Sequence, residues 1–121
     1  MPALVSLDLI VRDVPASVAF FRDVVGLTVL QAFDCFAELE GRSLKILLSP
    51  DALVPVSPAR GIILHFEEPD LPAAVRRATA FGSVVLKGPL TTDWGVESVL
   101  VQGPEAIVID FQRPVVSPPA A

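Results

Sequence analysis

The chain contains no tyrosine and a single histidine, cysteine and tryptophan among its 121 residues. Without tyrosine, phenolic acid–base chemistry is excluded. A lone Cys35 cannot close an internal disulfide, so a cytoplasmic location is the expectation. Cys35 itself lies in an alternating stretch and reads as a small, half-buried strand residue rather than a nucleophile. Basic side chains are also few: nine Lys and Arg against fourteen Asp and Glu, a net charge of −5. They are scattered, with Arg76-Arg77 the only doublet, which is no footprint for a phosphate backbone, and no nucleic-acid partner is expected. No apolar run reaches the roughly 18 residues of a membrane span. The opening stretch MPALVSLDLIVRD has no basic region and soon meets Asp8, unlike a secretory signal. No membrane partner is therefore expected. Glycine-rich phosphate loops and a Ser-His-Asp spacing are missing too, which leaves no pointer to acyl or phosphoryl chemistry.

What is present is a globular composition, 52% hydrophobic and 19% charged, and an internal repeat. DVPASV at 13–18 returns as DLPAAV at 70–75, a shift of 57 residues that also lays Leu7 on Leu64, Leu9 on Phe66 and Leu27 on Val84. In each copy an alternating apolar strand leads to an aspartate suited to cap a helix. A proline follows in the first turn, where its missing N–H costs nothing. The first helix carries Val18, Phe21 and Val25 on one stripe and stops at Gly26; the second carries Val75, Ala78 and Phe81 and stops at Gly82. Three short strands are expected after each helix, near 27–33, 34–40 and 43–49, then 83–88, 97–102 and 106–112. The pattern predicts an α+β fold of two βαβββ modules, residues 1–50 and 61–113, joined by a proline-rich linker at 51–60 and followed by a frayed tail at 114–121. A unit of about 50 residues is marginal alone, so the modules must pack on each other or on those of a second chain.

Two such modules in this length resemble the vicinal oxygen chelate superfamily, which includes glyoxalase I, bleomycin- and fosfomycin-resistance proteins and extradiol dioxygenases. LDLIVRDVPASVAFFRDVVGL is similar to that family's opening strand and helix, and DWGVESVLVQGPEAIVIDF to its closing segment. The resemblance spans nearly the whole chain. It implies a cupped mixed sheet with helices on the convex side, a small-molecule site on the concave side and, in many members, a divalent metal. The family's ligand positions fall on Ser6 in the first strand, Leu47 near the end of the first module, Ile63 in the first strand of the second, and Asp110 near its end. Only Asp110 keeps a donor of the family's kind, and one carboxylate cannot hold a divalent metal. GPEA at 103–106 also replaces the family's usual Asp-Pro-Asp-Gly.

Strand parity gives a further reading. Ser6, Asp8 and Ile10 share a face, as do Ile63, His65 and Glu67, while Leu7, Leu9 and Val11 with Ile62, Leu64 and Phe66 form an apolar face for the helices. The repeat makes Asp8 and His65 equivalents, so Asp8, His65, Glu67 and Asp110 are expected to point into the cup, with His65 contacting a ligand or pairing with Asp8. One carboxylate of Glu67-Glu68 is expected to be solvated. Trp94 is expected at the pocket rim, and one of Phe33 and Phe36 inside. The expected ligand-binding set is thus Ser6, Asp8, Phe33, His65, Glu67, Trp94 and Asp110, holding a small cationic or aromatic molecule with no metal and no other cofactor, by sequestration, in a homodimer. The alternative is a lyase, isomerase or dioxygenase of the same superfamily with a metal displaced onto Asp8, His65 and Asp110.

Overall fold

The computed structural model describes residues 2–56 and 60–115. Its first half runs β1 (Ser6–Ile10), α1 (Val14–Phe20) continued by a π-helical turn (Phe21–Val25), then β2 (Thr28–Phe33), β3 (Phe36–Gly41) and β4 (Leu44–Ser49). The second runs β5 (Ile63–Glu67), α2 (Leu71–Phe81), β6 (Val85–Thr91), β7 (Val96–Gln102) and β8 (Val108–Pro114). The expected βαβββ order is therefore present twice.

Both helices start as the repeat predicts. The carboxylate of Asp13 accepts from the Ala16 N–H and that of Asp70 from the Ala73 N–H, each at 3.0 Å. Both stop at a glycine in the left-handed region, Gly26 at φ +87° and Gly82 at φ +100°. The end of the first helix departs from the expected stripe. The Gly26 N–H reaches back five residues to the Phe21 carbonyl at 2.9 Å, a π-helical turn that breaks the α-helical period. Val24 becomes fully buried and Val25 only half-buried.

Each module forms a four-stranded sheet, in the orders β1-β4-β3-β2 and β5-β8-β7-β6. The edge strand β1 pairs in parallel with its inner neighbour β4, as β5 does with β8, and the helix contributes to the crossover such pairing needs. One face of each sheet packs against the helices. Leu9, Leu39, Ile46 and Leu48, with Val99, Val101, Ile109 and Phe111, are buried there, and Leu7, Ile62, Leu64 and Phe66 pack against them, as strand parity predicts.

Three details differ from the sequence reading. Strand β6 continues past Pro89 to Thr91 instead of ending near 88. It lies at the sheet edge, where a missing N–H is tolerated, and it bulges between Lys87 and Leu90. Asp34 and Cys35 form a two-residue hairpin turn rather than part of a strand, so Cys35 is exposed. Pro114, assigned to the tail, closes β8, and the Val115 N–H donates to the Gly95 carbonyl at 2.9 Å. Residues 57–59 of the expected linker and 116–121 of the expected tail lie outside the described residues.

The modules share one hydrophobic core. Phe20 on α1 meets Phe81 on α2 edge-to-face at 5.6 Å. Arg77 donates from Nε to the Val24 carbonyl at 3.0 Å and from Nη2 to Glu68 Oε2 at 3.1 Å. Glu105 Oε2 accepts from the backbone N–H groups of Arg12 and Asp13 at 2.6 and 3.1 Å. Among the described residues the two sheets share no strand pairing. Clefts open between the modules instead. One of about 800 Å³ is lined by Leu7, Leu44 and Ile46 from the first module and Leu64, Phe66 and Phe111 from the second. Another, of about 560 Å³, lies between Ile10 and Val11 on one side and Ile62 and Ile107 on the other. Among the described residues no helix is long and apolar enough to cross a membrane.

Candidate ligand-binding site

The faces turned away from the helices carry the polar side chains singled out by parity. On β5 these are His65 and Glu67, with Ile63 on the same face, and parallel pairing sets His65 directly beside Asp110 of β8. His65 Nδ1 lies 2.6 Å from Asp110 Oδ2. The two groups sit in unequal surroundings: the His65 side chain keeps 57% of its surface exposed, the Asp110 side chain 5%. Asp110 is buried because β8 is an inner strand, flanked by β5 and β7. From β7, the Ser98 hydroxyl donates to the same Oδ2 at a long 3.4 Å. The other oxygen, Oδ1, is buried with no hydrogen-bond partner among the described residues, an arrangement that costs free energy.

The first module carries a different pair at the matching register: Asp8 faces Leu47. His65 therefore pairs within its own module and not with Asp8. Register explains the difference, since Asp110 is its neighbour on a hydrogen-bonded strand whereas β1 belongs to the other sheet. Asp8 is exposed and lines the smaller cleft, while His65 and Glu67 line the larger one. Ser6 is half-buried beside Lys45 on β4. Glu67 is exposed at the end of β5, as expected of one of the two glutamates, and Glu68 is held by Arg77.

The aromatic candidates stand at hairpin tips. Phe33 pairs across the Asp34-Cys35 turn with Phe36, so both rings share one face, where one on each side was expected. A turn between them, rather than a continuous strand, reverses the parity. Phe33 is 63% exposed and Trp94, in the turn between β6 and β7, 78%. Neither ring lines either cleft. The chain thus brings His65, Asp110 and Ser98 into contact, with Glu67 two residues along β5. Ser98 escaped the sequence reading because nothing in SVLVQ marks a serine as facing a carboxylate; only the pairing of β7 with β8 reveals it.

A divalent metal does not fit this donor set. Leu47 and Ile63 present hydrocarbon at two of the four family positions. Among the described residues no three His, Cys, Asp or Glu side chains converge to hold an ion. The displaced set fails for the same reason, because Asp8 stands apart from the His65–Asp110 pair.

Two βαβββ modules, each with a helix on one sheet face and polar side chains on the other, define a paired-module α+β fold. The chain belongs to the Glyoxalase/Bleomycin resistance protein/Dioxygenase superfamily, whose family model matches residues 3–111. Among solved structures, one described as a conserved domain protein is 39% identical, with a TM-score of 0.82 over 93% of this chain and 99% of its own. A glyoxalase/bleomycin resistance protein/dioxygenase family enzyme from Burkholderia phytofirmans PsJN superimposes with a TM-score of 0.80 at 19% identity, over 94% of this chain and 100% of its own. Lactoylglutathione lyase from Agrobacterium tumefaciens gives 0.72 at 21% identity, over 93% of each chain. At those identities the likeness is one of fold. A comparison with the curated proteins finds no match.

Proposed function

We propose that the protein binds a small organic molecule, cationic or aromatic, on the helix-free faces of its sheets, without a metal ion, and acts by sequestration in the manner of the bleomycin-resistance branch. The carrying observation is the buried Asp110 under a half-exposed His65 on that face, next to the exposed side chain of Ile63. Such a site offers hydrocarbon for contact area and a few fixed polar groups for orientation. Exposed carboxylates at Asp8 and Glu67 favour a cation, and Phe33 and Trp94 offer faces to a cation or a flat ring. The same reading makes the protein a cytoplasmic homodimer in which a second copy closes the open sheet faces. Exposed Leu4, Val5, Ile63, Val84 and Leu86 support the dimer, since solvent-facing apolar side chains in that number suit an interface.

The test is a thermal-shift screen with cationic and aromatic compounds, including bleomycin, followed by calorimetry and light scattering. A ligand at 100 times its Kd stabilises by about 2.7 kcal/mol. A saturable shift with one site per module pair, unchanged by chelator and reduced in Phe33→Ser, supports the reading. No shift across the panel, or binding that requires an added metal, refutes it.

A further inference from the structure

We propose that His65 and Asp110 form a metal-independent proton-transfer dyad, in which His65 is the catalytic base and Asp110 its positioning residue. It rests on reading the helix-free face as the ligand site, and adds chemistry to it. The substrate class is a small carbon, nitrogen or oxygen acid whose conjugate base delocalises onto an electronegative group.

Three observations carry this. The first is orientation. A carboxylate only accepts hydrogen bonds, so with Asp110 Oδ2 2.6 Å from Nδ1, a neutral imidazole must carry its proton on Nδ1. The Nε2 lone pair is then free to take a proton, and the carboxylate steadies the imidazolium that forms. The second is access. The imidazole is more than half exposed on the helix-free face, whereas its partner is almost wholly buried and fixed by backbone pairing on both sides. The base is reachable and its orienting group is not free to move. The third is the comparison between modules. Leu47 fills on β4 the register place that Asp110 fills on β8, so this fold does not need a carboxylate there to close its sheet. Asp110 instead leaves one oxygen buried without a partner, which works against folding. A group that harms packing and orients the only imidazole of the chain is placed for chemistry.

In the reaction, Nε2 takes a proton from the substrate, the electron pair of the broken bond moves into the adjacent electron-withdrawing group, and the imidazolium returns the proton to product or water. No oxidant or metal is required.

Two measurements on the full chain test this. With nitrobenzisoxazole as a generic carbon acid, proton removal turns the C–H pair into the third bond of a nitrile, breaks the N–O bond and releases a coloured phenolate. His65→Gln is expected to lower the turnover on the order of a hundredfold. Nitrogen-15 NMR of the single histidine is expected to show the Nδ1–H tautomer in the wild type. Asp110→Leu, the residue class found at the first-module position, is expected to lose that preference and much of the rate, with Asp110→Asn as a second variant should Leu not fold. Equal turnover in wild type and His65→Gln, or an Nε2–H tautomer in the wild type, overturns the dyad. A protein that shifts in the thermal screen yet fails these tests loses this inference alone.

Discussion

Glu105 joins the modules in a way that a short series of variants can dissect. Its carboxylate accepts from two backbone N–H groups of the first module, Arg12 at 2.6 Å and Asp13 at 3.1 Å, across more than 90 residues of chain. Asp13 is the N-cap of α1, so Glu105 does from the second module what a capping-box glutamate does within one helix. The bonds are solvent-exposed, which puts their joint contribution at about 1–2 kcal/mol rather than the larger value of buried charged pairs. Glu105 also sits at φ +54°, the left-handed region, which costs a non-glycine residue about 1 kcal/mol. The two effects separate by substitution. Glu105→Ala loses the bonds and keeps the strain, so it should destabilise by about 1.5 kcal/mol. Glu105→Gly loses the bonds and relieves the strain, so it should fall only about 0.5–1 kcal/mol below wild type. Glu105→Gln keeps neutral acceptors and should lie nearest to it. Urea unfolding measures these differences directly, and each kcal/mol corresponds to about 3–6 °C in Tm for a chain of this size. A Glu105→Ala loss below about 0.3 kcal/mol, or a Gly variant no more stable than the Ala variant, refutes the reasoning.

The other predictions concern packing and the site. Gly88 has φ +101°, and a Cβ there would lie 2.7 Å from the Ser98 carbonyl oxygen, so Gly88→Ala should cost about 2–4 kcal/mol in a denaturant titration. Phe20 is buried and edge-on to both Phe21 and Phe81, and Phe20→Ala should cost about 3–5 kcal/mol with loss of cooperative unfolding between the modules. Asp110→Leu should leave stability unchanged or raise it by about 1 kcal/mol, since it removes a buried carboxylate whose partner is solvated; a large loss in urea unfolding would show that the carboxylate supports the fold after all. Phe33→Ser, at an exposed hairpin tip, should change stability by less than about 0.5 kcal/mol while weakening ligand binding in calorimetry.

Much of the fold was legible because its signals are local. The Asp-x-Pro-Ala repeat announces both helix starts, Gly26 and Gly82 announce both ends, and alternation separates the helix-facing Leu9 and Phe66 from the open-face Asp8 and His65. Where local signals were ambiguous the reading slipped. Asp-Cys is not one of the dipeptides that mark a tight hairpin, so the Asp34-Cys35 turn passed for strand and one Phe of the pair landed on the wrong face. The strand expected near 83–88 runs on through Pro89 to Thr91 because it lies at a sheet edge, which sequence alone does not disclose.

The candidate site divides along the same line. Sequence by itself determined the two-module plan, the chemistry missing from the family's metal positions and the face on which His65 stands, because each depends on residue type and period alone. Only the tertiary structure decided what His65 meets. The parallel register of β5 with β8 brings it to Asp110, the antiparallel register of β7 brings Ser98 to the same oxygen, and the separation of the two sheets leaves Asp8 apart. Partners set by strand order, dozens of residues apart in the chain, carry no local mark, and so His65 and Asp110 were each visible from the sequence while their pairing was not.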